Sequence, residues 1–416
     1  MLSYLQMNRS LPTLALFVLY LVCLVTPCWA DLTTGLEAYE RHEYQTALRE
    51  FRSLVDQGDA SAQFMLGYMY AHGEGLSQDY AEAARWFLQA AGKGNAAAQF
   101  NLGVLYDEGL GVRQNYTEAA RWFRQAADKG HATAQLNLAL QYTHGHGVPQ
   151  DYAEAARWFR GAADQGNVIA QINLGYLYTK GLGVPQNYAE AARWFHQAAD
   201  RGNDRAQFNL GLIYAQGHGV PQNYIKARQW YEQAAEQGNA SAQVNLALLY
   251  AKGLGVPQDY AKAARWFRQA AQKGNATAQA HLGVMYAKGH GLQQDYRESE
   301  RWFHLAADQG NATAQLNLGL MYARGRGGLR DYREAGRWFR LAADQGDATA
   351  QANLGLLYAN GYGLPQDYVQ AYFWFSRAGA QGHKDALELR STVASRMNPL
   401  QIAEAENLAN ESKAKK

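Results

Sequence analysis

The chain has 416 residues, 48% of them hydrophobic and 18% charged, with a formal charge of +2. That much apolar material excludes wholesale disorder. A near-neutral chain also lacks the electrostatics of a general nucleic-acid binder, so no nucleic-acid partner is expected.

The first predicted element is a targeting segment over residues 1–30. Arg9 is its only charge, Leu14 to Val25 is unbroken apolar sequence, and Cys28-Trp29-Ala30 ends it on a small residue. This is the n-region, h-region and cleavage-site order of a secretory signal. The run is shorter than the ~20 residues of a membrane span. Cleavage after Ala30 predicts an exported chain, periplasmic or secreted, that starts at Asp31 and has no integral membrane span. Both cysteines, Cys23 and Cys28, leave with the segment. The mature chain then has no disulfide, thiol nucleophile or thiolate metal site.

Residues 31–58 read as a degenerate capping helix pair, in which Glu50 stands where later units carry tryptophan. From Asp59 to Gly382 a 36-residue unit then repeats nine times without insertion. Trp86, Trp122, Trp158, Trp194, Trp230, Trp266, Trp302, Trp338 and Trp374 mark its phase. Each unit predicts two helices. The first runs from about Asn95 to Glu108, with Ala98, Leu102 and Tyr106 on one face. Gly103 lies beside that face, and only alanine (Ala139, Ala247) replaces it in other units. A helical glycine costs about 1 kcal/mol against alanine, so this register predicts a close neighbour. Gly109 ends the helix.

The second helix begins at the Asp79 register. Asp79-Tyr80-Ala81-Glu82 has capping-box spacing, and Ala83, Trp86 and Phe87 form its apolar stripe. Burying one tryptophan per unit is expected to dominate the contact between units. Residues 383–416 read as C-terminal capping helices and a tail. Lys384 to Arg396 is a charged helix, and Asn398-Pro399-Leu400-Gln401 starts another that reaches about Asn410.

A helix pair this small cannot bury its stripe alone, so neighbours must stack into an all-α solenoid. The unit A-x-x-x-L-G-x-x-Y-x-x-G-x-G-V-P-Q-D-Y-x-x-A-x-x-W-F-x-x-A-A-x-x-G resembles the Sel1-like repeats, which are related in architecture to tetratricopeptide repeats. The resemblance covers about four fifths of the chain. It implies an α/α superhelical solenoid acting as a non-enzymatic adaptor or scaffold for other proteins. Some secreted relatives carry a disulfide in each repeat; this chain carries none.

Few residues ask for another explanation. The nine Gly-x-Gly loops lack the preceding strand or the lysine-serine sequel of a phosphate cradle. His144, His146, His218 and His290 are loop residues without convincing ligand spacing, so neither a metal nor a cofactor is expected. No Ser-His-Asp arrangement stands out, and no pocket-like break in the repeat is evident. The best candidate for partner binding is a ladder on the first helices: Asn101, Asn137, Asn173, Asn209, Asn245, Asn317 and Asn353, with Met65 and His281 in the remaining places. Asn101, Leu105 and Glu108 fall at i, i+4 and i+7, turned away from the core stripe. The amides suit either a peptide backbone or bonding between adjacent first helices. At the end of that stripe Lys180, Lys252, Lys288 and Arg324 lean basic. The expected partner is therefore a protein or extended peptide, held in a concave groove by small contributions from many repeats. The competing reading is a cell-wall or β-lactam-interacting enzyme or small-molecule binder.

Overall fold

The computed structural model describes residues 29–414, which hold 22 helices and no strand. The expected signal segment lies outside them except for Trp29 and Ala30, which open the first helix, Trp29–Glu40. That helix and Tyr44–Asp56 form the leading pair. Nine hairpins follow at the sequence period. Ala96–Glu108 and Tyr116–Asp128 are typical, each 13 residues long. The chain ends in Ala386–Ala394 and Pro399–Ala414. The first of these is shorter than the span of 384 to 396 expected from its charges, and the last runs beyond Asn410. The helices fall into two compact units, up to Ala198 and from Ala199 onward. Within each unit consecutive hairpins stack, giving an α/α solenoid.

The first helix of a hairpin is capped at both ends. Asn95 Oδ1 accepts from the Ala98 amide at 2.9 Å, and Gly109 closes the helix with φ +73°. The second helix is capped by Asp79, which accepts from the Ala81 and Glu82 amides at 2.9 and 3.0 Å. The expected return bond from Glu82 is not made. Asp79 instead donates its own N–H to the Tyr70 carbonyl at 2.9 Å, and Glu82 pairs with Arg85 at 2.7 Å. The cap amide is thus used to tie the loop to the previous helix. The complete reciprocal box occurs at Asn398 and Gln401, with bonds of 3.0 and 2.9 Å.

The aromatic pair divides the packing. Phe123 is buried against its own hairpin, where a Cβ on Gly103 would lie 2.7 Å from its ring. This is the close neighbour that the glycine register predicted. Trp122 belongs to the cluster that joins Ala83, Phe87 and Ala90 of the preceding hairpin to Ala98, Leu102 and Leu105 of its own first helix. Trp302 and Trp374 do the same further along. Tryptophan therefore does join units, but its burial is uneven. Trp230 is only half-buried, whereas the adjacent Tyr231 is 1% exposed. The uniformly buried aromatic is the one after the tryptophan.

Candidate functional site

Every residue of the asparagine ladder sits on a first helix and is half-buried. Their amides do not join neighbouring helices. Asn101 Nδ2 donates to the Ala97 carbonyl at 2.8 Å, and Asn173, Asn245, Asn317 and Asn353 do likewise to the residue four places back, at 2.8–2.9 Å. The donor is used within the helix, and no described side chain donates to the Oδ1 of these five. What the ladder offers outward is acceptors. Asn137 and Asn209 share the register and the half-buried setting.

The residue that accompanies Asn101 outward is Val104 rather than Leu105. Leu105 is 4% exposed and belongs to the core; the i+3 place turns to the surface. In the second unit this outward row reads Leu212, Leu248, Val284, Leu320 and Leu356, all half-buried. Lys252, Lys288 and Arg324 end the three consecutive first helices that carry Leu248, Val284 and Leu320, and are exposed, each just before the glycine that closes the helix. The helix C-terminus favours cations there. The structure thus sets an acceptor row, an apolar row and a basic row along one face. His281, which takes the asparagine place in one hairpin, stacks on Phe267 with centroids 4.8 Å apart. Burial, and then the Lys252 charge, lower its pKa. In the first unit Lys180 stands 6.0 Å from the ring of Tyr176, and the same helix also exposes Ile169.

The loop histidines are held by neighbouring rings. His146 stacks on Tyr116 at 5.4 Å and His290 on Tyr260 at 4.7 Å. Among the described residues no three His, Cys, Asp or Glu side chains cluster as a metal would need, and no helix is long and apolar enough to cross a membrane.

A second ladder escaped the sequence reading. Gln63, Gln99, Gln135, Gln171, Gln207, Gln243, Gln279, Gln315 and Gln351 share one register and are all buried. Gln99 Nε2 donates to the Ala91 carbonyl of the preceding second helix at 3.1 Å and to Gln125 Oε1 of its own at 3.1 Å. Gln279 donates to the Ala271 carbonyl at 3.1 Å, and its Oε1 accepts from Gln309 at 2.8 Å. The partner comes from 26 residues on (Gln89, Gln125, Gln197, Gln233, Gln269) or from 30 residues on (Gln165, Gln237, Gln309, Gln345, Gln381). Only Gln207 has both. The signal was available: a polar residue repeating inside an apolar helix face is either structural or functional.

With this geometry in hand, the likenesses are specific. The Sel1 repeat family matches nine consecutive segments: 60–95, 96–131, 132–167, 168–203, 204–239, 240–275, 276–311, 312–347 and 348–383. A protective antigen present in uropathogenic Escherichia coli strains, displaying an SLR fold, is 34% identical with a TM-score of 0.65, over 95% of this chain and 93% of that one. A Sel1 repeat protein from Oxalobacter formigenes is 35% identical with a TM-score of 0.61, over 79% of this chain and 93% of that one. No curated protein matches. A solenoid of such repeats is typically a non-enzymatic scaffold for protein–protein interaction.

Proposed function

We propose that this chain, which belongs to the Sel1 repeat family, is an exported scaffold of the bacterial envelope that holds an extended acidic segment of a partner protein along its first helices. The supporting observation is the order of rows in the second unit. Exposed Lys252, Lys288 and Arg324 stand at one register of three consecutive first helices, beside half-buried Leu248, Val284 and Leu320. The acceptor oxygens of Asn245 and Asn317 lie on the same side and suit the N–H groups of an extended backbone. Each contact is weak, and repetition supplies the affinity. The secretory layout of residues 1–30 supports export, and a 34% identical relative described as a protective antigen accords with it.

The test is capture from envelope extracts with the full chain, identification of the bound protein by mass spectrometry, and repetition with Lys252→Glu/Lys288→Glu/Arg324→Glu. An acidic partner lost on charge reversal supports the reading. Capture unchanged by the triple reversal, or a chain found wholly in the cytoplasm on fractionation, overturns it.

A further inference from the structure

The last repeat departs from the others where the terminal helices fold over it. At the register of Ser376 the earlier repeats carry long side chains: Leu88, Arg124, Arg160, His196, Glu232, Arg268, His304 and Arg340. In four of them the arginine bonds a tyrosine hydroxyl 18 residues on, as Arg268 does with Tyr286 at 3.0 Å. Ser376 is too short to do so, and its buried hydroxyl has no hydrogen-bond partner among the described residues. Tyr372 stands at a register held mostly by alanine. Between these residues and the helices Ala386–Ala394 and Pro399–Ala414 is a cleft of about 450 Å³.

Two opposite charges line this cleft, both beside the Tyr372 side chain. The Arg390 guanidinium carbon lies 5.6 Å from the ring centroid, and the Tyr372 hydroxyl donates to Glu406 at 3.4 Å. Neither Arg390 nor Glu406 has an ion-pair partner among the described residues. Leu387, Gly379, Ala380 and Ala409 give an apolar wall. Gly379 lets Leu387 lie close: a Cβ there would meet the Leu387 Cδ2 at 2.9 Å. A cleft of this size, mostly small or apolar with a few convergent polar groups, has the character of a small-molecule site. A simple anion would be repelled by Glu406, and a simple cation by Arg390. A molecule carrying both charges satisfies both.

We propose that the cleft binds a small zwitterion, a free α-amino acid or dipeptide with an apolar side chain, its carboxylate at Arg390 and its ammonium at Glu406. The site is separate from the first-helix face and stands or falls independently of the scaffold reading.

The test is isothermal titration of the full chain with L-alanine, L-valine, L-leucine and alanyl-leucine, and with N-acetyl-leucine and leucinamide, each of which lacks one charge. The expected result is binding of at least one zwitterion at millimolar or lower concentration, with each charge-deleted analogue at least about tenfold weaker. Arg390→Met and Glu406→Gln should each lose at least about tenfold. Ser376→Arg should abolish binding while the helical signal and melting are kept, since other repeats already carry arginine at that register; this variant keeps the test valid if the charge variants fold poorly. No binding of any zwitterion up to about 10 mM would overturn the proposal. So would equal binding of the charge-deleted analogues, or wild-type affinity in Ser376→Arg.

Discussion

Gln309 Nε2 donates to the buried Oε1 of Gln279 at 2.8 Å, so the turn that follows a second helix is tied to the first helix of its own hairpin. Where the same place is lysine, as at Lys273, the side chain turns instead to the Gly238 carbonyl at 2.7 Å. The buried Oε1 of Gln243 then has no partner. A buried acceptor left unpaired costs about 1–3 kcal/mol. Lys273→Gln should therefore stabilise the chain by about 1 kcal/mol, because Gln207 already shows both bonds made at once, to Gln233 and from Gln237. Gln309→Ala should destabilise by a similar amount. Urea unfolding of both variants beside the parent checks the pair, and opposite signs are expected.

The uneven burial of the tryptophans makes a graded prediction. Trp302 is 7% exposed and packs into the preceding hairpin's cluster, whereas Trp230 is half-buried. Trp302→Ala should cost about 3–5 kcal/mol, the range for a large buried aromatic, and Trp230→Ala clearly less. Thermal melts should show Trp302→Ala with the lower midpoint and the broader transition, since neighbouring units uncouple. Equal midpoints would refute the grading.

Two glycines separate backbone strain from close approach. Gly310 has φ +85° and open space around its missing Cβ. Gly291 has φ +67°, but a Cβ would lie 2.3 Å from the Tyr260 carbonyl carbon, where the loop rests on the start of the previous second helix. Gly310→Ala should cost about 1–2 kcal/mol for the left-handed conformation alone. Gly291→Ala adds a backbone clash and should cost at least about 1–3 kcal/mol more. Differential scanning calorimetry of the two variants compares them directly.

One first helix is capped by histidine where its neighbours use Asn or Asp. His131 Nδ1 accepts from the Ala134 amide at 3.2 Å, and the ring stacks on Phe100 at 4.7 Å. Only an unprotonated Nδ1 can accept, and burial lowers the pKa of the group. A lowered folded pKa means that the unfolded chain binds the proton first. The cap's contribution is full above the ordinary histidine pKa and is lost as the pH falls below it, through the folded value. His131→Asn should leave stability near pH 8 little changed and raise it at pH 5. Melting midpoints at those two pH values test the sign.

The period, the hairpin and both caps were legible because they rest on residues with strong local meaning: Asp79, Asn95 and Gly109 act within one turn of themselves. The outward face differs from the sequence expectation at one place, Leu105. A 36-residue period fixes which positions are equivalent but not how far each helix is rotated against its neighbours, and that rotation buries Leu105 and exposes the Val104 row. The glutamine ladder is hidden in the sequence for a different reason. Its partners lie 26 or 30 residues away, so no local spacing rule reaches them. The cleft at Ser376 needed the terminal helices in place, because a short side chain opens a space only when something else roofs it.

The glutamine latch has a consequence for how such an array changes length. Both alternative partners of each buried glutamine lie in that glutamine's own 36-residue unit, and the bond it makes backward is to a main-chain carbonyl that any unit can provide. Loss or duplication of a whole unit therefore severs no specific side-chain pair of the latch, and its junctions are interchangeable as far as this bonding is concerned. Genetic gain or loss of modules can adjust the reach of the protein while each module keeps its own fastening.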